Sequence, residues 1–168
     1  MDNEFLKLIR PIVKHPNYKS MKKYNHHKTF STYYHSIKVA YLSYCYAKKH
    51  KSKVDIASLV RGALLHDYYL YDWHTKDKRH KWHGYKHPKF SYINAVRDFK
   101  DINEVEKDII LHHMFPLTLS IPKTRAGWIV CYCDKKATFS DYKKKKKKIL
   151  TIAVIFNLGI LLILKYSG

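Results

Sequence analysis

His35, the adjacent pair His66-Asp67, His87, the pair His112-His113 and Asp134 are the residues of this 168-residue chain whose types and order could do chemistry. Imidazoles and carboxylates gathered inside a protein need partners, and a divalent cation satisfies both kinds at once. A carboxylate also has two oxygens, so one such as Asp67 can bridge two cations. A single buried histidine has a plainer use, a hydrogen bond to a backbone carbonyl or another core group, and each of these taken alone carries little weight. An ordered series spread over about a hundred positions carries much more.

The elements that must position these residues read as helices. Ile56, Leu59, Val60, Ala63 and Leu64 recur at helical spacing after a cap at Asp55, and His66 falls seven residues beyond Leu59 on the same face. Asp67 follows at the helix end, where a carboxylate can bend toward the same point. Upstream, His35, Val39, Leu42 and Tyr46 form one stripe. Downstream, Val105, Ile109 and His112 form another, with His113 one turn beyond Ile109, on a helix opened by the capping-box pair Asn103 and Glu106. Val130 and Asp134 are one turn apart. Strand signals are sparse, and Pro11, Pro16, Pro88, Pro116 and Pro122 punctuate loops or helix starts. The expected fold is all-α: one helical bundle over residues 1–142, followed by a C-terminal hydrophobic helix.

Four strings extend the pattern beyond single letters: Arg61-Gly-Ala-Leu-Leu-His66-Asp67, His83-Gly-Tyr-Lys-His87-Pro88, His113-Met-Phe-Pro116-Leu-Thr and Asp134-Lys135. Together they resemble a small bacterial branch of the HD superfamily of metal-dependent phosphohydrolases, over roughly residues 15 to 142. The resemblance implies that His35, His66, Asp67 and Asp134 form one metal site. His87 and His113, with His112, would complete a second, Asp67 bridging the two as the catalytic carboxylate. It implies one or two divalent transition metals, manganese, iron, cobalt, nickel or zinc, because so many imidazoles suit these better than magnesium. The implied activity is hydrolysis of a nucleotide or related small phosphate ester through metal-activated hydroxide. The alternatives are a cyclic-nucleotide or alarmone phosphodiesterase or pyrophosphohydrolase, and, from another class, a non-catalytic basic module for membrane surfaces or nucleic acid. Met114-Phe-Pro116-Leu stands where the cyclic-di-GMP-cleaving subgroup has Gly-Tyr-Pro, which disfavours that substrate. Ser31 stands one turn before His35, where an acidic residue would favour a third metal.

Other residues could touch substrate. Arg61 could grip a phosphate with its planar fork, or hold an acidic residue and set helix packing, the second being favoured. Lys135 could neutralise a phosphoryl group, or point away into water. His83 and His27 are further candidates for substrate contact, whereas His74 and His80 lie in the polar run from Asp72 to His87 and read as solvated.

The formal net charge is +20, and 28 of the 33 basic residues are lysine. Specific nucleic-acid readers lean on arginine, so this surface implies diffuse attraction of phosphorylated small molecules and other anions, with no specific nucleic acid as partner. Three cysteines, Cys45, Cys131 and Cys133, make no zinc-ribbon pattern and read as small core residues. With no secretory signal at the start, a cytoplasmic protein is expected. Lys143 to Lys148 are an unbroken basic run, and Ile149 to Leu164 are almost wholly apolar. Sixteen helical residues reach about 24 Å, marginal for a bilayer core, and the expectation is a tail anchored on the cytoplasmic face.

Overall fold

The computed structural model describes residues 2–26, 30–73 and 82–142. The chain divides into two compact units, Met1–Ala137 and Thr138–Gly168. In the second, residues 138–142 are described, and they are helical. The expectations for His27, for His74 and His80, and for the lysine run and apolar tail lie outside the described residues. Among the described residues no helix is long and apolar enough to cross a membrane.

Among the described residues seven helices carry the fold, with an antiparallel pair of two-residue strands, Asn25–His26 and Phe30–Ser31, ahead of the third. Helix α1 (Asn3–Val13) is capped by the Asp2 carboxylate, which accepts from the Glu4 amide, and buries Phe5, Ile9 and Ile12 at helical spacing. The Tyr44 hydroxyl donates to Asp2 and Glu4 and ties α1 to α3 (Thr32–Lys49). A short α2 (Pro16–Ser20) places Tyr18 wholly in the core.

Helix α4 (Ile56–Leu65) is the centre of the bundle. Its Asp55 cap accepts from the Ala57 and Ser58 amides, as the local pattern predicts. Leu59, Val60, Ala63, Leu64 and Leu65 are all solvent-free, so the C-terminal half of this helix is covered on most of its circumference, with Ala57 exposed and Arg61 half-buried at the surface. Helix α6 (Glu104–His112) crosses it closely at Gly62, where a methyl group would lie 2.6 Å from the Ile109 side chain. The Asn103 and Glu106 capping box is present, with both reciprocal bonds made. Helix α5 (His83–Asp98) and α7 (125–142) complete the set, α7 burying Ala126, Ile129, Val130, Cys133 and Ala137. Cys131 and Cys133 are buried and all three cysteines are free thiols.

The buried face of α3 is rotated from the expected stripe. His35 and Val39 are buried, but Leu42 and Tyr46 are half-buried, and Ser36, Ala40, Ser43 and Ala47 take the inner side. Small residues there let neighbouring helices approach more closely than the larger pair would permit.

Candidate metal centre

Four elements deliver imidazoles and carboxylates to one buried point. His35 comes from the first turn of α3, His66 and Asp67 from the end of α4, His87 from the second turn of α5, and His113 from the end of α6. All five are at least nine-tenths buried. Asp67 lies at the middle. Its Oδ2 is 3.4 Å from His66 Nε2 and 4.0 Å from His35 Nε2, while its Oδ1 is 3.1 Å from His87 Nε2 and 3.5 Å from His113 Nε2. Asp134, on α7, closes one side, with Oδ1 2.9 Å from His35 Nε2 and 3.8 Å from His66 Nε2.

The backbone decides which nitrogen of three rings carries the proton. His66 Nδ1 lies 2.7 Å from the Ala63 carbonyl, His87 Nδ1 3.0 Å from that of His83, and His113 Nδ1 2.9 Å from that of Ile110. A carbonyl only accepts, so each Nδ1 must be the N–H, and each neutral ring then presents an Nε2 lone pair inward. His66 Nε2 has no hydrogen-bond partner there, and His87 Nε2 and His113 Nε2 face each other at 2.9 Å. Two lone pairs at that distance beside a carboxylate repel unless a proton or a metal cation joins them. The donor set, imidazole nitrogen with carboxylate oxygen, fits a divalent transition metal. Two groups converge closely enough to hold one ion each, His35 with His66 and Asp67, and Asp67 with His87 and His113.

Titration reflects the same excess of electron pairs. Burial works against a charged His66, but the Asp67 and Asp134 carboxylates outweigh it and lift the ring to about 9. His113 moves the other way, held below the usual imidazole range by burial and by the neighbouring His66 and His87 rings. Burial likewise opposes ionised Asp134, yet the His35 hydrogen bond and surrounding imidazoles hold its carboxyl well below the usual range.

The remaining sequence candidates go elsewhere. His112 is not brought into the cluster: its Nδ1 lies 2.6 Å from Asp108 Oδ1, one turn back on α6. One step along a helix turns a side chain by about 100°, so His112 and His113 cannot share a target. Arg61 pairs with Glu106 at 3.4 Å and donates to the Asp101 carbonyl at 3.0 Å, the packing role of its two readings. Lys135 does not point into water; its ammonium donates to the carbonyls of His113 (3.1 Å) and Cys131 (3.2 Å). His83 sits beside the cluster, its ring stacked on His87 with centroids 4.7 Å apart and on Trp73 at 4.9 Å, with Nδ1 2.9 Å from the Tyr71 hydroxyl.

Two supports were not legible as site residues. Tyr68, just after Asp67, is buried, donates to Asp98 at 2.7 Å, and its carbonyl accepts from Asn94 at 3.0 Å, which pins the chain next to the Asp67 carboxylate. Asp108 accepts from the Lys123 and Thr124 amides and the Thr124 hydroxyl, and so holds in place Thr124, whose Oγ1 caps α7 by accepting from the Gly127 amide at 2.9 Å. The spacing Asp108 to His112, four residues on one helix, was the available signal.

A model of the HD domain family matches residues 32–153, and the chain belongs to that family of metal-dependent phosphohydrolases. No curated protein and no solved structure matches it. The family binds divalent metals, and the buried histidine and aspartate groups described above could hold them.

Proposed function

We propose that this protein hydrolyses a phosphate ester, a nucleotide or related small phosphorylated molecule, at a centre of one or two divalent transition metals. The observation that carries the reading is the approach of the His87 and His113 Nε2 lone pairs to 2.9 Å beside Asp67 Oδ1. His35, His66, Asp67 and Asp134 would hold one ion, and Asp67, His87 and His113 another. Such ions supply Lewis acidity toward phosphoryl oxygens and lower the pKa of water. The chain's own work is orientation. Backbone carbonyls of Ala63, His83 and Ile110 lock three imidazoles as Nδ1–H tautomers, so their Nε2 atoms stay available as ligands. The buried setting excludes water that would compete for these atoms. The positive net charge draws anionic substrates toward the molecule.

The test is metal analysis of purified full-length protein together with phosphate release from a panel of nucleotides and simple phosphate esters. Near-stoichiometric metal and turnover are expected in the parent, both lost in Asp67→Ala. Parent protein that takes up no transition metal, or a loaded protein that hydrolyses none of the panel, refutes the reading.

A further inference from the structure

One part of the surface is unlike the rest. Leu117, Leu119 and Ile121 alternate along the α6–α7 loop and are 50%, 90% and 55% exposed, Leu119 being the most exposed large apolar side chain among the described residues. The start of α5 lies against this loop, since a methyl group on Gly84 would come within 3.2 Å of Leu117 Cδ2. That start presents Trp82 and Tyr85, 63% and 53% exposed, with ring centroids 6.0 Å apart. Trp82 holds φ at +64°, a conformation that bulky residues adopt only when the surroundings impose it.

The loop is held firmly at both ends while its apolar residues face water. Its far end is bonded to Asp108 through the Lys123 and Thr124 amides. Its near end is bonded through the His113 carbonyl to Lys135 and through the Phe115 carbonyl to the Cys131 thiol. Exposed aliphatic side chains on so well anchored a loop, beside a tryptophan and a tyrosine, mark an interaction surface. The basic residues around it choose the partner. Lys86, Lys89 and Lys123 are exposed on the flanking segments. Protein interfaces are depleted in lysine, whereas a membrane interface combines aliphatic residues that enter the acyl boundary, Trp and Tyr at the headgroup level, and lysines facing anionic lipid. The run Lys143–Lys148 followed by sixteen mostly apolar residues has the same chemical character.

We propose that Trp82, Tyr85, Leu117, Leu119 and Ile121 form a membrane-contact patch that seats on an anionic bilayer. The bilayer then lies against the two segments that carry His87 and His113, five residues after Trp82 and four before Leu117. The proposal stands independently of catalysis at the metal centre.

The full chain is tested with Trp73→Phe and Trp128→Phe, which leave Trp82 as the single tryptophan, so that the signal reports this patch rather than the tail. Vesicles of phosphatidylcholine with brominated acyl chains, with and without phosphatidylglycerol, serve as the probe. Trp82 emission is expected to shift to the blue and to be quenched by the anionic vesicles, and adding Leu117→Ser and Leu119→Ser is expected to cut the quenching roughly twofold or more. Both substitutions are on exposed side chains, and circular dichroism checks that the fold is retained. Trp82 that stays unquenched, quenching that the double substitution leaves unchanged, or equal quenching by neutral vesicles would overturn the proposal.

Discussion

Asp67 and Asp108 are both buried carboxylates beside a histidine at the end of α6, and their surroundings are opposite. Asp108 is met by donors: two backbone amides, the Thr124 hydroxyl and His112 Nδ1. Asp67 is met by four imidazoles within 4.0 Å, three of which, when neutral, turn a lone pair inward because a carbonyl holds their other nitrogen. Burial alone therefore does not mark a metal ligand. The direction of the neighbouring lone pairs is what separates the two, since a carboxylate surrounded by N–H and O–H groups is already satisfied and one surrounded by lone pairs could share them with a proton or a metal cation.

The adjacent histidines offer the sharpest way to break this contrast. His113→Ala is expected to lower metal affinity by about 100-fold or more, while His112→Ala leaves metal content unchanged and costs about 1 kcal/mol of stability. Equal metal loss in both, read by equilibrium dialysis, would erase the distinction drawn between them.

Asp108→Ala should cost about 3 kcal/mol in denaturant unfolding, because four donors lose their acceptor and Thr124, which caps α7, loses its anchor. Its pH behaviour gives the sign. Burial opposes the Asp108 charge, but the Thr124, Lys123 and His112 hydrogen bonds outweigh it and hold the carboxyl below its ordinary value near 3.8. A folded pKa below the unfolded one means that the stabilisation is present above the ordinary value and is lost as pH falls through the lowered one. Acid unfolding of the parent should therefore be steeper below about pH 4 than that of Asp108→Asn; identical acid limbs would contradict the assignment.

Gly127→Ala probes the same anchor with the charge intact. The new methyl would lie 2.5 Å from Asp108 Oδ2, so the carboxylate must shift, at a cost of about 2 kcal/mol. A variant as stable as the parent would show that the anchor tolerates displacement.

Features set by neighbours in sequence were legible in advance. The Asp55 cap, the Asn103 and Glu106 box and the helix ending in His66-Asp67 each depend on residues within one or two turns. Arg61 was readable only as two alternatives, because its partner Glu106 is 45 positions away. Lys135 was misjudged for a related reason. A lysine next to an aspartate normally finds water, but the carbonyls of His113 and Cys131 are close enough here to bind it. The inner face of α3 was misplaced by a fraction of a turn, since hydrophobicity does not reveal how closely small residues such as Ala40 and Ala47 let a neighbour pack.

By itself the sequence determined the helical class, the order of the ligand-type residues and the family they belong to, because helical periodicity and capping are local and the motif's spacing is written along the chain. Tertiary structure alone decided that His113 and not His112 turns inward, that Asp108 anchors the segment before α7 while Asp67 lies amid four imidazoles, and which apolar residues remain in water. Those outcomes depend on helix rotation and on distances between segments far apart in the chain, which no run of neighbouring residues encodes.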